Sequence, residues 1–364
     1  MSQSSPEPVS TVPAAHPPRP AWLRLLRVLL YAVLGVWTLL LAAWLTLHWG
    51  LLPRVGDWRP DIERHASAAL GAPVHIGSIQ VSSNHWIPVL DLRDVRLDDP
   101  RGRPALRLPR VVAALSPRSL LAFELRLSQL YLDAPELVVR RDRDGRLHVA
   151  GQDLDAEGTV GGQGAADWLL AQHEVLVQHG RVLWIDETRA PVQPLPLEDV
   201  QFVLRNSLRQ HHARLDATPP PAWGDRFSLR GRFRQPLLDA PSQWQHWTGT
   251  LYAEWPRVES AALAAALQLP LRAEGGEGVV RAWFDLRQGL WQRATADVAF
   301  GAVALRLNPR LEPLALSRLH SRREAERRPD GWRRAARDLA FATPEGHDRS
   351  EEHTSELQSR LHLV

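Results

Sequence analysis

The chain has 364 residues, of which 44% are hydrophobic and 23% charged, and its formal net charge is +3. These proportions are those of a folded protein and argue against wholesale disorder. The sequence contains no cysteine, and all 44 basic residues are arginine, which excludes disulfides, zinc–thiolate sites, Schiff-base lysines and P-loop lysines. The pI of about 10.0 reflects arginine, which does not titrate in the accessible range, and does not indicate nucleic-acid binding.

The N-terminal segment carries the strongest local signal. Residues 1–20 are rich in Pro and Ser and lack an apolar period, which predicts a disordered cytoplasmic tail. The run from Val28 to Leu52 contains no Asp, Glu or Arg, and as a helix it extends about 37 Å, more than the thickness of a bilayer core. Because arginines precede this run, the positive-inside rule places the N-terminus in the cytoplasm. We predict a single-pass anchor of a bacterial inner membrane over residues 21–52.

Two other interpretations of this run compete with the anchor. A cleaved signal peptide also starts with basic residues, but its apolar region usually covers only about 7–15 residues, and no small-x-small cleavage site follows here. A buried core helix of this length would be unusual. We therefore prefer the uncleaved anchor and expect residues 53–348 to form a periplasmic domain.

The sequence after the anchor predicts a mainly β protein. Residues 61–71 (DIERHASAALG) predict a short helix, because acidic residues occupy the first turn and a glycine ends it. The apolar period then changes to two, which is typical of antiparallel strands with one dry and one wet face. We predict a long, twisted antiparallel sheet with few short helices. The alternating sets are Val200, Phe202 and Leu204; Phe227, Leu229, Gly231 and Phe233; Leu251, Ala253 and Trp255; Val280, Ala282, Phe284 and Leu286; and Val303, Leu305 and Leu307.

Two strands change the parity of their apolar residues partway along. A bulge or bend at each change would keep all the apolar side chains on one face, and bulges increase the local twist of a sheet. The slips lie between Leu125–Leu127 and Leu130–Leu132, near Ser128, and between Leu90–Leu92 and Val95–Leu97.

Helices and turns are few. Short helices are predicted at residues 165–172 and 260–267, and the Gly-rich residues 153–164 predict a loop. The Asp-Gly dipeptides at residues 144–145 and 330–331 lie between strand-like runs, and they predict tight hairpin turns.

Catalytic signatures were sought and not found. The sequence has no HExxH, GxSxG or Walker motif, and its 15 histidines are scattered. His211 and His212 are adjacent, so on a strand they point to opposite faces and do not share a metal. Residues 142–145 (DRDG) resemble the start of a calcium loop but lack its closing Glu, which favours a hairpin tip. We predict that the protein is not an enzyme and has no catalytic residues, metal site or cofactor.

Residues 318–337 hold eight arginines. One interpretation is a basic patch for anionic headgroups or nucleic acid. The other is the wet face of a hairpin, with Glu324, Glu326 and Asp330 offsetting the charge, and mixed signs favour it. In a periplasmic domain we expect no nucleic-acid partner.

Three segments, taken in order, carry a resemblance to a known family. They are residues 61–81 (DIERHASAALGAPVHIGSIQV), residues 127–149 (LxxLxLxxPELxVxRDxDGRLxV), and residues 180–233, with GRVLWIDE, LEDVQFVLRN and ATPPPAWGDRFSLRGRF. Downstream of one N-terminal membrane anchor, this succession resembles the AsmA-like proteins, and the YhdP family in particular, over residues 20–347.

The resemblance implies an inner-membrane-anchored protein whose long twisted sheet extends through the periplasm. The sheet is expected to curl into an elongated groove whose apolar lining conducts phospholipid acyl chains toward the outer membrane. The family has no catalytic residues to carry over. The chain is shorter than a full bridge and is expected to hold the anchor and the membrane-proximal portion. Candidate groove residues are Leu125, Leu127, Leu130, Leu132, Val200, Phe202, Leu204, Phe227, Leu229 and Phe233.

The C-terminal residues do not fit the strand pattern. Residues 349–359 (RSEEHTSELQS) match the in-frame translation of a common sequencing adapter. We expect the native coding sequence to end near Asp348 and residues 349–364 to be non-native.

The function depends on what covers the apolar face of the sheet. In an ordinary sandwich a second sheet or helices cover it, whereas an open groove is filled by acyl chains, each buried CH₂ gaining about 0.8 kcal/mol. We predict a contribution to phospholipid transport between the inner and outer membranes. The alternative is an assembly factor that binds nascent outer-membrane or other envelope proteins along a strand edge.

Overall fold

The computed structural model describes residues 21–45, 59–70, 72–84, 87–99, 102–116, 127–153, 162–188, 191–240, 243–266, 272–306, 312–345, 348–351 and 355–359. The predicted tail at residues 1–20, the end of the predicted anchor at residues 46–52, and Leu125 lie outside these ranges. The chain divides into two units, residues 1–54 and residues 55–364, and each is described by itself.

The first unit contains helix α1, Ala21–Leu45. Large apolar side chains along this helix are exposed, among them Leu30, Trp37 and Leu39. Within the described ranges, no helix combines the length and the apolarity that a membrane crossing requires. The anchor over residues 21–52 therefore stays a prediction.

The second unit contains three short helices, which are α2 (Arg59–Leu70), α3 (Gly162–Ala171) and α4 (Ser260–Ala266). All three were predicted from the sequence to within a few residues. The predicted loop over residues 153–164 is wrong at its end, because α3 already begins at Gly162. Glycine is well tolerated at the start of a helix, so a Gly-rich segment does not exclude one there.

The strands confirm the mainly β prediction. All nineteen strands of the described chain belong to one sheet. They are β1 (Val74–Asn84), β2 (Ile87–Asp98), β3 (Pro104–Leu115), β4 (Leu127–Asp133), β5 (Glu136–Arg141), β6 (Leu147–Val149), β7 (Gln152–Asp153), β8 (Glu174–Asp186), β9 (Leu195–Ser207), β10 (Gln210–Thr218), β11 (Phe227–Arg234), β12 (Thr248–Glu259), β13 (Arg272–Glu274), β14 (Glu277–Arg287), β15 (Leu290–Arg306), β16 (Leu314–Arg328), β17 (Gly331–Ala342), β18 (Asp348–Glu351) and β19 (Ser355–Ser359).

The strands lie side by side mostly in chain order. β1, β2 and β3 pair in succession, and β4 and β5 both lie between β3 and β8. From β8 the order continues through β9, β10, β11, β12, β14, β15, β16 and β17. The remaining short strands pair as follows. β6 pairs with β5, and β7 pairs with β6. β13 pairs with β15, and both β18 and β19 pair with β17.

The sheet is not wholly antiparallel, which corrects the sequence-based prediction. β4 and β5 both run parallel to β8, whereas the other pairs are antiparallel. The reason is the connection: β6, β7 and α3 lie between β5 and β8 in the chain. Parallel strands need such a crossover, whereas antiparallel neighbours need only a short turn.

The predicted hairpins are confirmed. The turn at residues 142–146 joins β5 to β6, and the Asp142 side chain accepts hydrogen bonds from the backbone N–H groups of Asp144 and Arg146. The Asp330-Gly331 dipeptide joins β16 to β17, where Arg328 pairs with Gly331. Asp142 therefore stabilises a turn, as the hairpin interpretation of the DRDG segment requires.

A line of residues with positive φ crosses the sheet from β2 to β9. Asp94, Ala134, His179 and Asp199 have φ between 45° and 53°, a region that residues other than glycine rarely adopt. The register between β8 and β9 shifts beside His179 and Asp199, whereas the pairings of β2 continue in register across Asp94, and Leu92 and Val95 on either side of it pack against the same buried cluster. The predicted slip between Leu92 and Val95 is thus confirmed. The slip at Ser128 is also confirmed, by a register shift between β3 and β4.

Three buried clusters form the core, and each lies against a short helix. The first cluster includes Leu130, Val175 and Leu204, with Leu170 of α3 packed against it. The second includes Ile76 and Leu97 and is covered by Ile62 and Ala66 of α2. The third surrounds Val258, Phe300 and Val303, with Leu263 of α4 alongside. The helices thus cover parts of the sheet, and the described chain contributes no second sheet.

Candidate functional site

A row of apolar side chains crosses one face of the sheet, with one residue from each strand. Consecutive members are directly opposite each other in the pairing register, so the row runs perpendicular to the strands. At about 4.8 Å between strands, it is roughly 50 Å long. We call it the first apolar row. Its members are Ile79, Leu92, Val111, Leu132, Val177, Phe202, Leu215, Leu229, Ala253, Ala282 and Ala296.

A second apolar row runs beside the first, two residues away along each strand and therefore on the same face. It starts at Val81 in β1 and reaches Ala325 in β16. Together the two rows form a continuous apolar band. The members of the second row are Val81, Leu90, Ala113, Leu130, Val175, Leu204, Ala213, Gly231, Leu251, Phe284, Ala294 and Ala325.

The band is closed near α3 and accessible farther along. Val175 and Leu204 are only 2% and 5% exposed, because they belong to the buried cluster beside α3. From β10 to β15 the large side chains of both rows are half-buried, as Leu229 and Phe284 illustrate, and so is Phe202 in β9. This part of the band offers apolar surface to a ligand, and a contiguous apolar surface of this kind marks an interaction site.

The accessible part of the band contains a trench. In the first row, three adjacent strands carry only alanine, and these are Ala253, Ala282 and Ala296. Ala282, at the centre, is buried, whereas Ala253 and Ala296 are half-buried. Leu251 and Phe284 of the second row stand on one side of them. On the other side stand Trp255, Val280 and Val298, which are also opposite one another in register. We call this low strip between two taller rows the alanine trench.

The structure places nine of the ten predicted groove residues on the face of the apolar rows, and Leu125 lies outside the described ranges. Four of the nine are buried and pack inside the protein, whereas five are half-buried. The buried four are Leu127, Leu130, Val200 and Leu204, and the half-buried five are Leu132, Phe202, Phe227, Leu229 and Phe233.

The alternating pattern alone did not assign several residues of the band to the site. Leu251, Ala253, Ala282 and Phe284 were recognised from the sequence as strand residues, but not as neighbours of Phe202 and Leu229. Only the register between strands aligns them. Leu215 was missed altogether, although Ala213, Leu215 and Ala217 alternate in the same way.

The opposite face of the sheet is charged. Glu254, Arg281, Asp297, Arg322 and Arg337 are opposite one another on five neighbouring strands. Arg281 lies 3.4 Å from Glu254, and the guanidinium of Arg322 donates to Asp297 at 2.7 Å. The hydrogen bond from Arg322 lowers the pKa of Asp297. Alternating signs across the strands make this the wet face.

The arginine-rich hairpin divides between the two faces. Since side chains alternate along a strand, the eight arginines of residues 318–337 do not all lie on the wet face. The wet-face interpretation holds for five of them and is wrong for three, which the register places on the face of the apolar rows. The five are Arg318, Arg322, Arg328, Arg333 and Arg337, and the three are Arg323, Arg327 and Arg334.

A buried polar cluster lies at the margin of the band. His211 is 2% exposed, and its ring stacks on Trp247 with a centroid distance of 4.0 Å. Its Nδ1 lies 2.7 Å from Asn206 Oδ1, and its Nε2 lies 3.2 Å from Gln235 Oε1. Burial lowers the pKa of His211, against the opposing effect of the Gln235 contact. The neighbouring His212 is exposed, as expected for the opposite face.

Metal-binding geometry was examined in the same part of the molecule. Among the described residues, no three His, Asp or Glu side chains are arranged to hold a metal ion. The described residues of the site therefore offer a ligand the apolar surface of the band and the charged side chains at its ends.

Comparison with known proteins gives one result. The family model described as YhdP protein matches residues 14–361. No curated protein matches the chain. The match includes residues 349–361, whose non-native origin stays a prediction. Because the matched region takes in helix α1 and every strand of the sheet, the chain belongs to the YhdP protein family.

Proposed function

We propose that this protein binds phospholipid acyl chains on its apolar band and contributes to phospholipid transport between the inner and outer membranes. Membership of the YhdP protein family supports a role in lipid transport in the cell envelope. One observation carries the proposal: the apolar rows continue without a polar interruption from β9 to β15, and from β10 onward their large side chains are half-buried.

The strength of such binding follows from the apolar area. A fully buried acyl chain of about 16 carbons would gain on the order of 12 kcal/mol. A sheet covers one side of the chain only, so about half of this, roughly 6 kcal/mol, is available before ordering costs. A free energy of this size corresponds to a Kd of tens of micromolar. A conduit needs weak binding of this kind, because lipids must leave each position as well as enter it.

We also propose the location. Residues 21–52 anchor the protein in the inner membrane, the N-terminus lies in the cytoplasm, and the sheet lies in the periplasm. The uninterrupted apolar sequence of residues 28–52 supports this arrangement, and so do the exposed apolar side chains of α1. The partners are then the inner membrane and phospholipid, with outer-membrane or other envelope proteins at the far end. The proposed function includes no catalytic step and requires no cofactor.

Photocrosslinking from defined positions tests the proposal. A photoreactive residue replaces Phe202 or Leu229 in the full chain, expressed in a bacterium, and the adducts are identified by mass spectrometry. The matched controls are Val203 and Arg230, the next residues on the same strands, which lie on the opposite face.

The expected result is lipid adducts at Phe202 and Leu229 and few at the controls. Equal lipid labelling on both faces would refute specific binding to the band. Protein adducts in place of lipid at Phe202 and Leu229 would support the assembly-factor alternative instead.

A further inference from the structure

Both apolar rows end at an arginine. In the first row, the residue opposite Ala296 is Arg323 in β16. In the second row, Ala325 in β16 is followed by Arg334 in β17. Arg323 and Arg334 are exposed and are diagonal neighbours on one face, where Cα atoms are about 7–8 Å apart. Two arginines are therefore neighbours on this face at the end of the band.

These two arginines differ from those on the wet face. Arg322 pairs with Asp297 at 2.7 Å, and Arg337 pairs with Glu324 at 3.3 Å. In the described part of the chain, neither Arg323 nor Arg334 has an ion pair or a side-chain hydrogen bond, unlike Arg333, which does have a partner. Among the described residues, the register places no acidic side chain beside Arg323 on its own face.

The chemistry of these groups favours phosphate. Arginine presents a planar fork of N–H donors that matches phosphate oxygens, and charge-assisted bonds of this type are about twice as strong as neutral ones. Two arginines close together on one face repel each other, so an anion between Arg323 and Arg334 would be stabilising.

The alanine trench fits the rest of the ligand. From Arg323 it runs over Ala296, Ala282 and Ala253, a distance of three strand spacings, or about 14 Å. The hydrocarbon core of a bilayer is about 30 Å thick, so an acyl chain in one leaflet spans about 15 Å. The trench therefore has the length of one acyl chain, with its charged end at Arg323.

We propose that Arg323 and Arg334 bind the phosphate of a phospholipid whose acyl chain lies in the alanine trench. The inference rests on the proposed function and adds to it the recognition of a phosphate-bearing headgroup at a defined position. It also assigns a direction to the bound lipid, with the headgroup toward β17 and the chain toward β12.

Lipid competition in native mass spectrometry tests the assignment. The detergent-purified full chain is offered equal amounts of dioleoyl phosphatidylglycerol and dioleoylglycerol, which share acyl chains but differ in the phosphate. The test variant is R323Q/R334Q, and the matched control is R318Q/R328Q, which removes the same charge from the wet face of the same hairpin. Circular dichroism melting checks that both variants are folded.

We expect the wild type and the control to prefer the phosphatidylglycerol at least tenfold, and the test variant to lose the preference while still binding dioleoylglycerol. An unchanged preference in the test variant, or an equal loss in the control, overturns the site. If millimolar inorganic phosphate abolishes the preference for phosphatidylglycerol, that result supports the arginines as the phosphate contact. A test variant that loses phosphate binding without any change in lipid binding shows a free-anion site and overturns the lipid assignment. If the wild type binds neither lipid, the proposed function itself fails.

Discussion

The contrast between Leu204 and Leu229 gives the sharpest prediction of the structure. Both leucines lie on the face of the apolar band, in strands separated only by β10. Leu204 is 5% exposed within the buried cluster, whereas Leu229 is half-buried on the accessible part of the band. The same substitution to alanine therefore removes a core contact in one case and a lining contact in the other.

The magnitudes follow from burial. Leucine to alanine removes three carbon groups worth about 0.8 kcal/mol each, or about 2.4 kcal/mol when fully buried. At Leu204 a cavity remains, which raises the expected loss to about 3–5 kcal/mol. At Leu229 part of the side chain is already exposed and no closed cavity forms, so the expected loss is about 1.5–2 kcal/mol. Thermal unfolding followed by circular dichroism measures both, with Val203→Ala as a control on the opposite face.

The effects of the two substitutions on lipid affinity should be in the opposite order to their effects on stability. Leu229→Ala removes contact with an acyl chain worth about 1 kcal/mol, which is about a fivefold loss of lipid affinity. Leu204→Ala should leave lipid affinity unchanged at temperatures where the variant is folded. Equal destabilisation by the two substitutions would refute the reasoning, because Leu229 would then be as enclosed as Leu204. A loss of lipid binding only in the Leu204 variant would place the ligand elsewhere.

Three further predictions concern stability. Gly224→Ala should lower the melting temperature clearly, because Gly224 has φ +128° and an added Cβ would collide with the backbone carbonyl of Arg257, whereas Gly301→Ala, which has open space, should not. In Asp216, burial raises the pKa, but hydrogen bonds from Arg214 and Ser228 outweigh it, so the folded pKa is lowered. The stabilisation by the Asp216 carboxylate is then complete above its unfolded pKa of about 3.9 and is lost as pH falls through the folded pKa, so urea unfolding of Asp216→Asn should show a deficit at pH 7 that disappears in acid. Because burial lowers the pKa of His211, its contribution is complete above the unfolded pKa of about 6.5 and is lost as pH falls through the lower folded pKa. Melting temperatures from pH 7.5 to pH 5 should therefore fall less in His211→Gln than in the wild type, and parallel curves would contradict this.

The sequence by itself determined the local features of this protein. Period-two alternation identified the strands and their dry faces, because the pleat fixes which side chains share a face. Acidic first turns and glycines located α2 to within two residues, and the Asp-Gly turns predicted two hairpins. The parity slip at Ser128 predicted a bulge, and an extra residue in β4 forms it, whereas the slip near Asp94 is accommodated by a positive φ without a register shift.

Tertiary structure alone decided which strands lie side by side and in what register. The alternation within one strand does not indicate which strand lies next to it. It therefore did not show that Phe202, Leu229 and Ala282 belong to one row, or that β4 and β5 run parallel to β8. Packing of α3 decided that Leu204 is core while Leu229 stays accessible. The register also placed Arg323 and Arg334 at the ends of the apolar rows. The physical reason is that cross-strand pairing joins residues far apart in the chain, and a period within one strand does not contain that information.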